Sequence, residues 1–123
     1  MVDVLVAEDD PMIATLLGEL LENMGFRVCG IARTHREAVD AALKLKPDWM
    51  LVDARLGCDS GVDAMAEIER SGKIPHVFMS GSHVEGLRHA PLLLKPFTEI
   101  ALGRAITAAM RTGTDGFCFP PIR

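Results

Sequence analysis

Val2-Asp3-Val4-Leu5-Val6-Ala7-Glu8-Asp9-Asp10-Pro11 is the stretch on which the fold turns. An apolar run broken by one Asp is long enough for a short strand, and it stops at three consecutive acids. Pro11 then suits the first turn of a helix, where a missing N–H removes no intrahelical bond. The order is strand, acidic loop, helix. From Met12 to Met24 the apolar positions Met12, Ile13, Leu16, Leu17, Leu20, Leu21 and Met24 recur at helical spacing, and Gly25 follows as a stop.

The same alternation continues along the chain. Phe26 to Ala32 reads as a second strand. Thr34 and Glu37 stand at capping-box spacing ahead of Ala38, Ala41, Ala42 and Leu45, which predicts a helix closing before Pro47. Trp49 to Asp53 predicts a third, buried strand ending in a carboxylate. A loop through Arg55 and Gly57 and a helix from about Gly61 to Arg70 follow it. His76 to Ser80 supplies a fourth strand and Leu92 to Lys95 a fifth, with Pro96 and Phe97 opening a last helix through Ile100, Ala101, Ile106 and Met110. Such alternation predicts an α/β fold, a doubly wound parallel sheet of five strands with helices on both faces.

One connection is short. Only Gly81 to Ala90 joins the fourth strand to the fifth, barely the roughly 10 to 12 residues that a parallel crossover with a helix needs. Two glycines and no apolar periodicity in Gly81-Ser82-His83-Val84-Glu85-Gly86 predict a loop, or at most one helical turn, so the fourth helix is expected to be absent or reduced.

With 123 residues, 49% of them hydrophobic, the chain is long enough to bury a core but too short for two ordinary domains, and a single domain over residues 1–112 with an irregular tail over 113–123 is expected. A formal net charge of -4, from 17 acids against 13 Lys plus Arg, gives no long-range attraction for nucleic acid or an anionic membrane. Cys29, Cys58 and Cys118 are odd in number and lack metal-ligand spacing, which predicts free thiols in a reducing compartment. No run reaches the roughly 18 apolar residues of a membrane span, and the first residues lack signal-peptide order; a cytoplasmic location is the expectation.

Ligands of a doubly wound sheet bind beyond the carboxyl ends of the strands. There this chain places Glu8 and Asp9 after the first strand, Asp53 on the third, Ser80 on the fourth and Lys95 on the fifth. Three carboxylates in one pocket repel one another unless a cation neutralises them. Magnesium fits an all-oxygen site of this kind, with manganese as an alternative; Asp9 and Asp53 would ligate directly and Glu8 through water. Asp53 could then act as a nucleophile toward phosphorus, while Lys95 supplies fixed positive charge and Ser80 a hydrogen bond to phosphoryl oxygens. A hydroxyl contact that exists only after phosphorylation makes the site a switch.

These residues resemble the response-regulator receiver family over nearly the whole chain. Val4-Leu5-Val6-Ala7-Glu8-Asp9-Asp10 is similar to its acidic-pair segment and Leu51-Val52-Asp53 to its acceptor strand. Phe78-Met79-Ser80-Gly81 is similar to its hydroxyl strand, and Leu94-Lys95-Pro96-Phe97 to its lysine motif. The resemblance implies a flavodoxin-like sheet of order 2-1-3-4-5. It implies Asp53 as phosphoacceptor, metal binding by Glu8, Asp9, Asp53 and the backbone carbonyl of Arg55, phosphoryl contacts from Ser80 and Lys95, and a cis Lys95-Pro96 bond. It also implies a histidine kinase or histidine phosphotransfer protein as donor, a downstream protein as output partner, and a monomer or a phosphorylation-dependent dimer. Such a protein is not an enzyme beyond catalysing its own phosphorylation and dephosphorylation.

Two departures stand out. Leu92 occupies the position, three before the lysine, where the family often has an aromatic switch residue. Phe78-Met79-Ser80-Gly81-Ser82 and the short connection resemble the FAT GUY subgroup, which lacks the fourth helix, although Met79, Ser80 and Ser82 differ from its motif.

Structural alternatives exist for each residue taken alone. Glu8 and Asp10 could serve a helix N-terminus, Asp53 and Ser80-Gly81 could be turn formers, and Lys95 could be solvated. All of them together would require four independent coincidences. His35, His76, His83 and His89 share no metal-ligand spacing and are expected at surface or loop positions without a functional role. Arg55 and Ser82 are expected to flank the phosphoryl group and set water access, with an ordinary exposed charge as the alternative for Arg55. A small phosphotransferase would need a substrate cap and a second acid, and a dinucleotide site would need glycines where Glu8-Asp9-Asp10 stand. Leu92, Phe97 and Ile100 are expected either to border an output surface or to fill the core.

Overall fold

The computed structural model describes residues 1–82 and 90–113. Five parallel strands form the central sheet: β1 (Asp3–Ala7), β2 (Arg27–Ala32), β3 (Trp49–Asp53), β6 (His76–Ser80) and β7 (Leu92–Leu94). Their spatial order is β2-β1-β3-β6-β7. Counted among sheet strands alone this is 2-1-3-4-5, as expected. The helices are α1 (Pro11–Asn23), α2 (His35–Leu45), α3 (Gly61–Ile68) and α4 (Glu99–Gly113). A two-stranded hairpin, β4 (Arg55–Leu56) with β5 (Asp59–Ser60), lies between β3 and α3.

Period-two alternation sorts each strand between two cores. Val4 and Val6 of β1, Leu51 of β3, Val77 and Met79 of β6 and Leu93 of β7 pack with Leu17 and Leu21 of α1 and Leu102 and Ile106 of α4. Leu5, Ala7, Met50, Val52 and Phe78 face the other way, onto Ala38, Val39 and Ala42 of α2 and Ala64, Met65 and Ile68 of α3. Helices on both faces let β3 be buried along its whole length. The phase also carries over to the site. Glu8, Asp53 and Lys95 continue the parity of Val6, Leu51 and Leu93, so all three leave their strands on the α1 and α4 side.

The helix ends follow local chemistry. Asp10 caps α1 by accepting from the N–H groups of Met12 and Ile13. Gly25, at φ 99°, takes the left-handed turn that ends it. Thr34 caps α2 through the Glu37 N–H, and the Glu37 carboxylate reaches back to the Arg33 N–H, one residue beyond the cap residue that the usual reciprocal box engages.

Three expectations need correction. The last helix does not open at Pro96: α4 begins at Glu99, where the Thr98 hydroxyl accepts from the Ala101 N–H and so caps the first turn. α3 ends at Ile68 rather than Arg70, since Ser71 and Gly72 already make tight turn bonds to Ile68 and Glu69. His76 is neither a surface nor a loop residue. It lies half-buried at the start of β6, with Nδ1 2.7 Å from the Ile74 carbonyl oxygen. The tail boundary at 113 falls on the last residue of α4, and residues 114–123, Cys118 among them, lie outside the described residues. So do His83, His89 and most of the short connection; among the described residues no helix stands between β6 and β7.

Gly61 shows how tightly α3 seats on β3. A Cβ built there would overlap the Asp53 carbonyl oxygen and come within 2.9 Å of a Val52 methyl. Gly61→Ala is therefore expected to lower stability by about 2–4 kcal/mol, read by urea denaturation. An unchanged midpoint would show that the contact relaxes without cost.

Candidate functional site

Glu8 and Asp9 follow β1, Asp53 ends β3, and Lys95 follows β7, so the sheet order brings the outgoing ends together. Lys95 Nζ donates to Glu8 Oε1 at 3.0 Å and to Asp53 Oδ2 at 2.8 Å. Its backbone N–H donates to the Ser80 carbonyl at 2.8 Å, which ties the lysine to the end of β6. Glu8 is 1% exposed. Its second oxygen accepts from the Asp10 N–H, so both carboxylate oxygens have partners. Asp53 Oδ1 accepts from the Arg55 N–H at 3.0 Å.

Glu8, Asp9 and Asp53 each present a carboxylate oxygen, and these oxygens lie within 4.8 Å of one another. Only Asp9 and the rim of Asp53 retain solvent contact, because Glu8 is enclosed. Hard oxygen donors at this spacing fit magnesium or manganese.

Electrostatics follow from burial and the shared ammonium. Burial pushes the Glu8 carboxyl above its ordinary range, against the bonds from Lys95 and the Asp10 N–H, and the Asp53 charge pushes the same way as burial. For Lys95, burial pulls the ammonium down, but the bonds to Asp53 and Glu8 outweigh it and hold the pKa above 10.5. The stabilisation from Lys95 is thus complete at neutral pH and is lost only as pH rises through that raised value. Glu8 runs the opposite way: ionising it works against the fold as pH rises from 4.5 through its raised folded value.

Ser80 Oγ accepts from the Ser82 N–H at 3.2 Å, on the buried end of β6 one residue beyond Met79, the register partner of Asp53. Arg55 is exposed at the start of the hairpin, its Nε 3.4 Å from the Gly57 carbonyl. Sequence reading missed two nearby groups. Gly61 is one, hinted at only by the Ser60 and Asp63 cap spacing. Arg33 is the other, whose Nη2 reaches the Asp9 carbonyl at 3.4 Å with no motif to announce it.

The other singled-out residues lie elsewhere. His35 Nε2 is 2.8 Å from Glu67, which ties α2 to α3, and Cys29 and Cys58 are free thiols. Phe97 and Leu92 pack partly into the two cores, whereas Ile100 is 67% exposed, so core filling does not account for it. No described helix is long and apolar enough to cross a membrane.

The family model described as "Response regulator receiver domain" matches residues 4–107, and the chain belongs to that family. It is 34% identical over 115 residues to the phyllosphere-induced regulator PhyR of Methylorubrum extorquens, covering 88% of this chain and 43% of that protein. It is 35% identical over 114 residues to the transcriptional regulatory protein PdtaR of Mycobacterium tuberculosis, covering 87% of this chain and 56% of the relative. The chain thus spans about half the length of these curated relatives. Among solved structures, the receiver domain of Erythrobacter litoralis PhyR superposes with a TM-score of 0.81 at 29% identity, with 96% of both chains covered.

Removing the shared ammonium should expose the repulsion it relieves. Lys95→Met is expected to cost about 1–3 kcal/mol near neutral pH, reduced from a fully buried pair because Lys95 is partly solvated. The loss should shrink as pH falls through the raised Glu8 value, where the repulsion between the two carboxylates is relieved. A pH-independent difference in denaturation midpoints would contradict this account.

Proposed function

We propose that this receiver accepts a phosphoryl group on Asp53 in a Mg2+-dependent reaction and signals through altered protein contacts. The observation that carries the reading is the Lys95 ammonium held between Glu8 and Asp53 beside the partly exposed Asp9. Glu8, Asp9 and Asp53, with the Arg55 carbonyl, would hold the metal, which when bound supplies charge neutralisation for the incoming phosphoryl oxygens. Asp53 oxygen forms the new bond to phosphorus as the bond from phosphorus to a donor imidazole nitrogen breaks, and that nitrogen keeps the electron pair. Lys95 redirects one of its hydrogen bonds from Asp53 to a phosphoryl oxygen. Ser80 can turn its hydroxyl to donate to another, which gives up its present acceptor role toward the Ser82 N–H and so couples phosphorylation to the chain behind β6.

Two surfaces support the assignment of partners. A groove of about 260 Å³ is lined by Ile13, Leu16, Leu17, Leu20 and Phe97 together with Lys95 itself. Beside it Met12 and Leu16, one helical turn apart, are 74% and 60% exposed. This apolar entrance suits a helical histidine-bearing donor, a histidine kinase or histidine phosphotransfer protein. Leu94 at the end of β7 and Ile100 at the start of α4 are exposed, and we assign the output surface there. That surface has no aromatic switch residue, in keeping with a FAT GUY-type receiver that lacks the fourth helix.

Incubation with phosphoramidate and MgCl2 should add one phosphoryl group, located on Asp53 by mass spectrometry and lost in Asp53→Asn. Modification that survives in Asp53→Asn, or that ignores the metal, would sink the reading. The exposed Arg55 is expected to shield the acyl phosphate from water, so Arg55→Ala should shorten the phosphoryl half-life several-fold, on the order of 1 kcal/mol in the barrier. Equal half-lives would leave Arg55 as a plain surface charge.

A further inference from the structure

At the opposite pole from the acids, the C-terminal ends of α2 and α3 enclose a second concavity of about 250 Å³. Ala42, Leu43, Pro47, Ile68 and Ile74 give it apolar walls, and Lys46 and Lys73 stand on its rim. Pro47 lies just before β3, so that strand's five residues, at about 3.3 Å each, separate the slot from Asp53 by roughly 16 Å.

Lys46 has a backbone that argues for its side chain. It sits at φ 49° and ψ 62°, and it is the one non-glycine residue at positive φ among the described residues. A Cβ in that region costs about 1–2 kcal/mol, and glycine is the usual choice at such a helix end, as Gly25 is after α1. The α2 dipole does not require a lysine there, since Lys44 already places a cation in the last turn. Among the described residues neither Lys46 nor Lys73 has an ion-pair partner, as Lys44 and Arg70 also have none, so both ammonium groups on the rim are available to an incoming carboxylate. The slot is also smaller than the roughly 300–1,000 Å³ typical of small-molecule pockets, a size suited to one large side chain.

We propose that this slot is a docking site for an acidic segment of a partner protein, which inserts one apolar side chain between Lys46 and Lys73. The carboxylates flanking that anchor meet the two unpaired ammonium groups, and the left-handed strain at Lys46 is retained for that contact. Because the site lies at the far pole, it tethers the partner in either phosphorylation state.

The test is an amide NMR titration with a capped Asp-Glu-Leu-Phe-Glu-Asp peptide, alongside a Lys-Lys-Leu-Phe-Lys-Lys peptide and octanoate. The expected result is saturable shifts confined to residues 42–47 and 68–74 with the acidic peptide alone. Lys46→Gly should weaken that binding about fivefold or more while leaving thermal stability equal or higher. Lys73→Gln, at an ordinary backbone position, should weaken it similarly without a stability gain. Absent or scattered shifts, equal binding of the basic peptide or of octanoate, or parental affinity in Lys46→Gly would overturn the proposal. Concentration-dependent shifts at these residues without peptide would assign the slot to a second copy of the chain and overturn it as well.

Discussion

One ammonium holds the outgoing end of the sheet together. Lys95 Nζ bonds Glu8 from β1 and Asp53 from β3 at the same time, and its backbone N–H bonds Ser80 on β6. Four of the five strands are thereby tied at their carboxyl ends by a single residue. Without it, two buried carboxylates would face each other beside a third, and one of them, Glu8, has almost no access to water. A buried charge stripped of its partner costs far more than an exposed pair gains, so the local geometry is conditional on this lysine. The close seat of Gly61 against its backbone holds Asp53 from below, as Lys95 holds it from the side.

The two poles of the sheet have opposite character for a reason rooted in strand direction. All five strands are parallel, so every outgoing end lies at one pole and every incoming end at the other. The acids gather where strands end. Prolines and lysines gather where they begin: Pro47 leads toward β3, Pro75 precedes β6, and Lys46 and Lys73 stand beside them. The incoming pole is not free of acids, since Asp3 pairs with Arg27 there and Asp48 accepts from the Asp3 N–H. The exposed apolar side chains also fall into groups, with Met12 and Leu16 near the acids and Leu43 by the lysine-rimmed slot.

Much of this was legible in the sequence because strand and helix periods differ. Trp49 to Asp53 and His76 to Ser80 match their observed bounds residue for residue, since buried parallel strands read as unbroken apolar runs between breakers. The acid, hydroxyl and lysine positions were legible for the same reason: each is the first polar residue after such a run. The hairpin of β4 and β5 was not, because two-residue strands carry no period. The start of α4 was less legible, because Pro96 suits a first helical turn as well as Thr98 suits a cap, and the structure uses the Thr98 hydroxyl. Helical spacing in α1 identified its apolar residues but not which would be covered; Met12 and Leu16 fit the pattern and yet face outward. The exposure of Leu94 was not legible, because alternation on an edge strand does not tell whether anything packs over its second face.

Charge counting connects the resting geometry to the proposed switch. Three carboxylates and one ammonium leave the pocket near -2, and esterifying Asp53 with phosphate exchanges its single charge for roughly two, so the pocket moves to about -3. The added charge lands beside Asp9, the partly solvated acid, and draws on Lys95, whose bonds are already divided between Glu8 and Asp53. Lys95 cannot follow the phosphoryl oxygens without loosening its hold on Asp53, and Glu8 then depends on it more heavily. The same side chain that stabilises the resting arrangement must therefore be shared anew when the acceptor is modified. Because its backbone is bonded to Ser80, that redistribution is felt at the ends of β6 and β7, where Leu94 lies exposed to solvent.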